Sequence, residues 1–405
     1  MKRTPLFYAV LIIELIVGLL LLYNFRYFSA MLKQRSAGTP VGVVASVSTP
    51  VAQPGTVQLA TVQSATVQSA TVQSASSNVP SFKLVELSPA ILSVFPVLPT
   101  EAVPTDYQMT KDIVDLGRML FYEPRLSATQ DMSCNTCHPL DHYGTDGLSV
   151  SRGHDGKPVK RNAPTTYNAA FHIGQFWDGR SPSVEEQAKM PVVAMGEMGM
   201  ETADRVEQIL RSIPGYAQPF AAAFPNQANP ITYQNLGIAI GAFERRLTTP
   251  ARFDKFLAGD RNQLNADEQR GLSTFVTLGC PTCHLGVTVG GLLYKKLGEK
   301  EPFPTKDLGR FNVTGLEEDK YVFKVPSLRN IVKTGPYMHD GETNSLEEMV
   351  KIMARYQLGK KVTNTQVADI VTFLNALTGD LPMTYIAEPQ LPKSGPDTPK
   401  PKRVN

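Results

Sequence analysis

A short cysteine motif that occurs twice constrains this chain more than any other feature of its sequence. Both copies read Cys-x-x-Cys-His, at positions 134–138 and 280–284. Their members are Cys134, Cys137 and His138 in the first copy and Cys280, Cys283 and His284 in the second. The two copies use all 4 cysteines of the 405-residue chain, so none is left for a disulfide framework. Their wide separation predicts two modules of similar kind.

The motif is the attachment signature of c-type haem. Two thiols at this spacing can reach both vinyl groups of one porphyrin, and the adjacent histidine can place its imidazole on the iron. A redox dithiol or a zinc site also uses Cys-x-x-Cys. Because zinc bound by all four cysteines would leave both histidines without a role, the pattern favours two covalent haems. His138 and His284 are then the proximal ligands.

The sixth ligand of each iron decides what such a protein can do. A His/Met iron has a raised potential and suits electron transfer. An iron whose sixth position can open suits chemistry on a small oxidant. The candidates are His142, His154, His172, His339 and the methionines. On the residue pattern alone, each of these histidines can equally be a surface or hydrogen-bonded residue.

The N-terminus predicts a membrane anchor. Residues 5–25 are predominantly apolar and carry a single charge, Glu14, and a span of the bilayer needs about 20 apolar residues. The run is longer than the roughly 7–15 apolar residues of a secretory signal. We therefore predict an uncleaved signal anchor within residues 1–35, with a cleaved signal peptide as the alternative.

Residues 36–82 carry no charge and include a repeated pentapeptide that begins Thr-Val-Gln. This composition predicts a flexible tether. Because c-type haem is attached outside the cytoplasm, we expect the rest of the chain in the periplasm, held to the inner membrane by the N-terminal helix. The formal charge is only +3, which argues against a nucleic-acid partner.

The remaining pattern is helical. Thr202 opens one apolar stripe, and capping boxes begin at Asn265 and Ser345. A further stripe runs from Val367 to Leu377, and no tight-hairpin signal occurs. We predict a mainly α fold with two cytochrome c-like haem domains. The predicted divisions are a first haem domain at 83–250, a second at 251–385 and a proline-rich tail at 386–405.

Several stretches around the motifs resemble the bacterial di-haem cytochrome c peroxidase family. In the first half these are 116–121 (LGRMLF), 161–165 (RNAPT), 175–180 (QFWDGR), 186–189 (EQAK) and 195–198 (MGEM). In the second half they are 325–330 (VPSLRN), 339–341 (HDG), 357–359 (QLG) and 377–379 (LTG). The resemblance extends over roughly residues 85–400, and the order of the stretches is that of the family.

The resemblance implies that the haem of Cys134, Cys137 and His138 is the peroxidatic one. His154 matches the histidine that caps this iron in the oxidised resting state of the family. Glu197 matches the distal acid, which would take a proton from bound peroxide and return it to the leaving oxygen. Gln187 matches a glutamine of the same pocket.

The resemblance also implies that the haem of Cys280, Cys283 and His284 is the electron-entry one. Met353 matches the methionine ligand of that iron, and Met338 is a rival. A tyrosine at this place marks the related enzyme that matures the tryptophan-derived cofactor of methylamine dehydrogenase, so Met353 argues against that function. Trp177 matches a tryptophan between the two haems.

Calcium is a further cofactor that the resemblance implies. Asn162, Thr334 and Pro336 match the family's calcium ligands, which are an asparagine side chain and two backbone carbonyls. Oxygen ligands of this kind suit a hard cation. The resemblance also implies a homodimer.

The predicted function is therefore reduction of H2O2 to water, with electrons from a small c-type cytochrome or another periplasmic or membrane donor. Electrons would enter at the His284/Met353 haem and pass to the His138 haem. Two alternatives stay open, a non-catalytic di-haem electron-transfer cytochrome and an oxidase of an organic or protein substrate.

Overall fold

The computed structural model describes residues 83–401. The predicted anchor within 1–35 and the tether at 36–82 lie outside this range. Between residues 83 and 401, no helix combines the length and the apolar character that a membrane span needs.

The described chain is mainly α-helical, as predicted. Its α-helices span Pro89–Leu92, Lys111–Phe121, Cys134–Cys137, Val184–Val193, Ala203–Arg211, Ala217–Ala223, Tyr233–Glu244, Arg252–Leu257, Ala266–Leu278, Phe311–Thr314, Leu346–Ile352 and Asn364–Asn375. One π-helical turn spans Met353–Gln357. Short 3-10 turns lie at Pro124–Leu126, Leu140–His142, Ala169–Phe171, Pro214–Tyr216, Arg261–Gln263, Cys280–Thr282, Glu317–Asp319 and Ile331–Lys333.

Side-chain caps begin the helices that the sequence predicts. Asn265 accepts a hydrogen bond from Glu268 N at 2.9 Å, and the Glu268 carboxylate accepts one from Asn265 N at 3.0 Å. Thr202 accepts from Arg205 N at 3.2 Å. Ser345 accepts from Glu348 N, but its hydroxyl donates to Glu347, so only half of the second predicted box is present.

One small antiparallel sheet accompanies the helices. Strand Tyr294–Lys296 pairs with strand Val322–Lys324, with Lys295 opposite Phe323. A long connection separates the two strands, which is why no tight-hairpin signal marks them. All three residues of the second strand are buried.

Two hydrophobic cores lie under two similar helix pairs. In the first core, helix Lys111–Phe121 packs on helix Tyr233–Glu244, and Gly117 lets the backbones approach, because a Cβ there would overlap Ala239 O. In the second, helix Ala266–Leu278 packs on helix Asn364–Asn375 through Gly271. Each pair thus uses one glycine at its crossing point.

The residues of the two cores do not all come from the matching predicted domain. Leu92 and Phe95 pack into the second core, and Ile386 packs into the first. The division at 83–250 and 251–385 stays a prediction.

An internal repeat relates the two halves. Asn168 and Asn330 both adopt a left-handed conformation, with φ of 61° and 60°, and each precedes a 3-10 turn. With the same offset along the chain, Phe176 has φ of 65° and Met338 has φ of 76°. In both halves one intervening residue and then an Asp-Gly pair follow. The halves therefore share a loop design besides their haem motif.

Thr249 joins the two halves by hydrogen bonds. Its hydroxyl accepts from Asn168 Nδ2 at 2.9 Å and from Asn330 Nδ2 at 2.8 Å. Asn168 Oδ1 accepts from Thr249 N at 3.1 Å, and Asn330 Oδ1 accepts from Gly379 N at 3.0 Å. All three side chains are buried.

The proline-rich tail returns to the first half. Ile386 O accepts from Tyr122 Oη at 2.5 Å, and Pro392 O accepts from Arg125 Nη2 at 2.8 Å. Pro399 O accepts from Gln130 Nε2 at 2.7 Å. The described part of the tail therefore wraps around the first core.

Replacement of Thr249 by valine should destabilise the protein. The change removes the acceptor of two buried amides, and each buried group left unpaired costs about 1–3 kcal/mol. Thr378→Val is the matched control, because the buried Thr378 hydroxyl has no partner among the described residues. Urea unfolding measures both variants. Equal stability of the two variants would contradict the role of Thr249.

Candidate active site

The first cysteine motif forms a single helical turn. Helix Cys134–Cys137 begins after Ser133, whose N donates to Thr136 Oγ1 at 2.9 Å. His138 ends the turn, and its N donates to Cys134 O at 3.0 Å. Positions three apart share one face of a helix, so both thiols are presented together.

His138 is prepared to bind a metal through one nitrogen. Its Nδ1 lies 3.2 Å from Gly144 O, and because a carbonyl only accepts, Nδ1 is the protonated nitrogen. Burial lowers the pKa of His138 and so keeps the ring neutral. Nε2 then carries the free lone pair that a haem iron needs, and the bond to Gly144 orients the ring.

The thiols of this motif are unpaired and partly buried. All four cysteines of the chain are free. Burial raises the pKa of Cys134 and of Cys137. For Cys137, the Ser151 side chain opposes this rise, while the carboxylates of Asp146 and Glu197 add to it. Glu197 therefore lies within electrostatic range of the first motif.

The backbones of His154 and Glu197 lie side by side. His154 N donates to Glu197 O at 2.7 Å, and His154 Nε2 lies 3.1 Å from Met195 O. The imidazole packs on Gly199, where φ is 71° and a Cβ would overlap the ring. His154 Nδ1 is buried without a hydrogen-bond partner among the described residues. Two loops thus meet beside the first motif.

Glu197 is a carboxyl in a partly dry environment. Burial raises the pKa of Glu197 above its ordinary value, and the nearby Arg180 charge partly opposes the rise. Gln187 lies on helix Val184–Val193, which leads into the Glu197 loop, and its side chain is half-buried. Its backbone N donates to Ser183 O in the first turn.

The second motif opens into a large cavity. Gly279 ends helix Ala266–Leu278 in a left-handed conformation, with φ of 91°, and turns the chain into Cys280. Cys280, Cys283 and His284 all line a cavity of about 240 Å³. A single water needs only about 10–15 Å³ by the same measure. Burial raises the pKa of Cys280 to about 12 and lowers that of His284 to about 4.

The lining of this cavity fits a porphyrin. Apolar side chains dominate its walls, among them Phe275, Leu278, Phe323, Leu346, Met349, Val350, Ile370 and Leu374. Leu346, Met349 and Val350 of helix Leu346–Ile352 line the cavity and also pack in the second core. The thiols, the imidazole and both candidate methionines, Met353 and Met338, line the same space. Met353 begins the π-helical turn, a distortion often found at functional sites.

Trp177 and His339 meet where the repeated loops of the two halves face each other. Their ring centroids are 6.4 Å apart, and the rings are nearly perpendicular. Trp177 Nε1 donates to Asn162 O at 3.0 Å, and Asn162 N donates to His339 O at 2.9 Å. His339 Nε2 lies 3.0 Å from Thr305 Oγ1, which makes His339 a hydrogen-bonded residue in this structure.

The three predicted calcium ligands line the cavity at the second cysteine motif. Asn162 Nδ2 donates to Leu148 O at 3.0 Å, so its amide oxygen is free to bind a cation. Among the hydrogen bonds of residues 83–401, none uses the carbonyl of Thr334 or Pro336. All three residues offer carbonyl or amide oxygens, which are among the oxygen ligands that calcium accepts. No cluster of three or more acidic, histidine or cysteine ligands occurs in the described range.

The remaining histidines differ in setting. His142 is exposed in a 3-10 turn. His172 is partly buried beside Lys324, and both line the cavity. Sequence reasoning overlooked this pair. Its one available signal was a lysine inside the apolar run Val322–Val325.

These sites define a c-type cytochrome with two haem-attachment motifs. Comparison with known proteins agrees. The sequence profile of the di-haem cytochrome c peroxidase family matches residues 111–262. The cytochrome c551 peroxidase of Nitrosomonas europaea is 42% identical over 75% of this chain and 90% of that protein. The cytochrome c551 peroxidase of Pseudomonas aeruginosa is also 42% identical, over 71% and 84%.

A solved structure shares the fold. The crystal structure of a MauG-like protein associated with microbial copper homeostasis is 30% identical. It superposes with a TM-score of 0.65 and covers 72% of this chain and 97% of its own. The chain belongs to the di-haem cytochrome c peroxidase family, which confirms the predicted class of enzyme and implies two c-type haems.

Removal of one cysteine pair should remove one haem. Mass spectrometry of the denatured wild-type protein should find two covalent haems per chain. The double variant Cys280→Ser/Cys283→Ser should retain one, and Cys134→Ser/Cys137→Ser should also retain one. Two haems in either variant would show that attachment does not use that motif.

Proposed function

We propose that this protein reduces H2O2 to two waters, taking two electrons from a small c-type cytochrome or another periplasmic or membrane donor. When bound, the haem of the second motif supplies electron entry, and the haem of the first motif supplies the iron at which peroxide is reduced. The observation that carries the proposal is the position of the half-buried Glu197: its backbone O accepts from His154 N, and its carboxylate acts electrostatically on Cys137.

Glu197 is proposed to move the protons. Reduction of one H2O2 consumes two protons and two electrons, and one proton must pass from the nearer to the leaving oxygen. A carboxyl can accept that proton and return it. Burial raises the pKa of Glu197 above its ordinary value, which makes the carboxylate easier to protonate. The group can therefore both accept the proton and return it. Gln187 is proposed to orient the peroxide or the Glu197 carboxyl.

His154 is proposed to act as a removable cap over the same site. Its loop is held to the Glu197 loop by the bond from His154 N to Glu197 O and by the contact of the ring with Gly199. A movement of this loop would therefore change the environment of Glu197 at the same time. Such coupling would link the release of His154 to a change in the environment of the Glu197 carboxyl.

On the electron-entry side, Met353 is proposed as the ligand opposite His284, and Trp177 as the residue between the two sites. Support for Met353 comes from its place on the same cavity as His284 and in the π-helical turn. Support for Trp177 comes from its bond to Asn162 and its contact with His339. Asn162, Thr334 and Pro336 are proposed to hold calcium at this junction.

The cellular setting stays a prediction as well. We propose that the haem-bearing part lies in the periplasm, because c-type haem is attached outside the cytoplasm. The anchor to the inner membrane, the tether and the homodimer rest on the sequence and its family resemblance.

Glu197→Gln should lower kcat for peroxide by about 10²–10⁴, because the amide cannot carry the proton. Glu317→Gln is the control, since it makes the same chemical change at an exposed site. Both variants should keep two haems. Unchanged turnover in Glu197→Gln would show that another group carries the proton.

The pH profile should report the same group. The base form of Glu197 is the carboxylate, so turnover should fall as the pH decreases through its raised pKa. This loss should begin above the ordinary glutamate value of 4.5 and should be absent in Glu197→Gln. An acid limb that is identical in both proteins would assign the titration to another residue.

Met353→Leu should remove the spectroscopic signature of a His/Met iron and lower the potential of that haem. Met338→Leu is the matched control, because Met338 lines the same cavity. Optical spectra and redox titration measure both effects. Loss of the His/Met signature only in Met338→Leu would show that Met338, and not Met353, is the ligand.

A further inference from the structure

The cavity at the second motif has a positive charge that no cavity-lining side chain balances. Its described lining includes two lysines, Lys295 and Lys324, and neither an aspartate nor a glutamate. Lys295 is partly exposed, with Glu299 4.0 Å away. Lys324 is only 7% exposed. The cavity is therefore suited to an anionic ligand.

The surroundings of Lys324 leave its ammonium without a carboxylate partner. Its Nζ lies 3.2 Å from His172 Nδ1, and its backbone N donates to Trp177 O at 2.8 Å. Asp178 is an acid that acts on it electrostatically. That carboxylate is already paired with Arg161 at 2.6 Å and with Arg180 at 3.1 Å. Burial accordingly lowers the pKa of Lys324 to about 7.

His172 supplies a second unused donor. Because the Lys324 ammonium donates to Nδ1, the neutral ring carries its proton on Nε2. This Nε2 is buried and has no partner among the described residues. The ring packs on Gly291, where φ is 80° and a Cβ would overlap the imidazole. Two donors thus meet at one wall of the cavity.

A buried ammonium without an anion is costly, and a buried unpaired N–H adds to that cost. A haem joined to Cys280 and Cys283 would bring two propionate carboxylates into this cavity. We propose that Lys324 and His172 together bind a propionate of that haem. The proposal rests on haem attachment at the second motif and is independent of peroxide chemistry.

The consequence is a control of redox potential by Lys324. A fixed positive charge beside the haem stabilises the added electron, and it also offsets the negative charge of the propionate. Loss of the charge should therefore make the haem harder to reduce. Lys324 and His172 would then be positioning residues that act through the haem.

The test is a redox titration of the full-length, haem-loaded protein without peroxide, followed at the absorption of each haem. Lys324→Met should shift the reduction equilibrium of the second-motif haem about tenfold towards the oxidised form, which is about 59 mV for one electron. Lys295→Met, which changes the other lysine of the cavity, should shift it far less. Lys324→Arg should restore most of the wild-type potential.

The same titration distinguishes a haem propionate at Lys324 from a free anion bound there. A wild-type potential that does not change with added chloride or acetate supports the propionate. A potential that follows the anion concentration, and does so only while Lys324 is present, would show an exchangeable anion and overturn the proposal. An unchanged potential in Lys324→Met with both haems present would also overturn it.

A crystal structure of the wild-type holoprotein decides the case if Lys324→Met fails to fold. A propionate oxygen within hydrogen-bond distance of Lys324 Nζ supports the proposal, and one beyond that distance contradicts it. Neither measurement uses turnover. A wild-type protein without peroxidase activity would overturn the proposed function and leave this inference to be judged separately.

Discussion

Two asparagine amides meet on the hydroxyl of Thr249 where the two halves of the chain join, and the site depends on this contact. Asn168 and Asn330 occupy equivalent places in the repeat, and both adopt a left-handed conformation. Each amide oxygen also accepts from a backbone N–H, so every side-chain nitrogen and oxygen of these three residues has a hydrogen bond. The bonds hold the starts of the two repeated loops together, and Trp177 contacts His339 further along the same loops.

Burial of titratable groups is the second constraint on the site. It keeps His138 and His284 neutral and ready to bind iron, and it raises the pKa of Glu197. The same effect at Lys324 has no obvious compensation inside the protein. One physical cause therefore underlies the proposed iron ligands, the proposed proton carrier and the proposed anion-binding lysine, and the charges near each group account for the difference.

The sequence predicted the parts of the fold that depend on local rules. The caps at Thr202 and Asn265 need only a side chain and the next turn of backbone, and the apolar stripes need only a helical period. The haem motifs could be recognised because their chemistry is contained within five consecutive residues.

Contacts between distant residues could not be predicted in this way. Thr249 has no local signature, because its partners lie far away in both directions along the chain. The pairing of the two short strands, the Lys324–His172 contact and the packing of Leu92 against the second core depend equally on tertiary structure. Family resemblance, rather than spacing, marked Glu197 and His154, and the structure brings their backbones together.

The most direct test of the central claim is peroxide turnover by the haem-loaded protein, measured fully oxidised and after one-electron reduction, with calcium present. The account predicts that a reduced cytochrome c is oxidised with one H2O2 consumed for every two electrons, and that this begins only after the one-electron reduction releases His154. Turnover in both states would retain the peroxidase and remove the cap. The absence of turnover in both states, with both irons six-coordinate, would contradict the account and indicate an electron-transfer cytochrome.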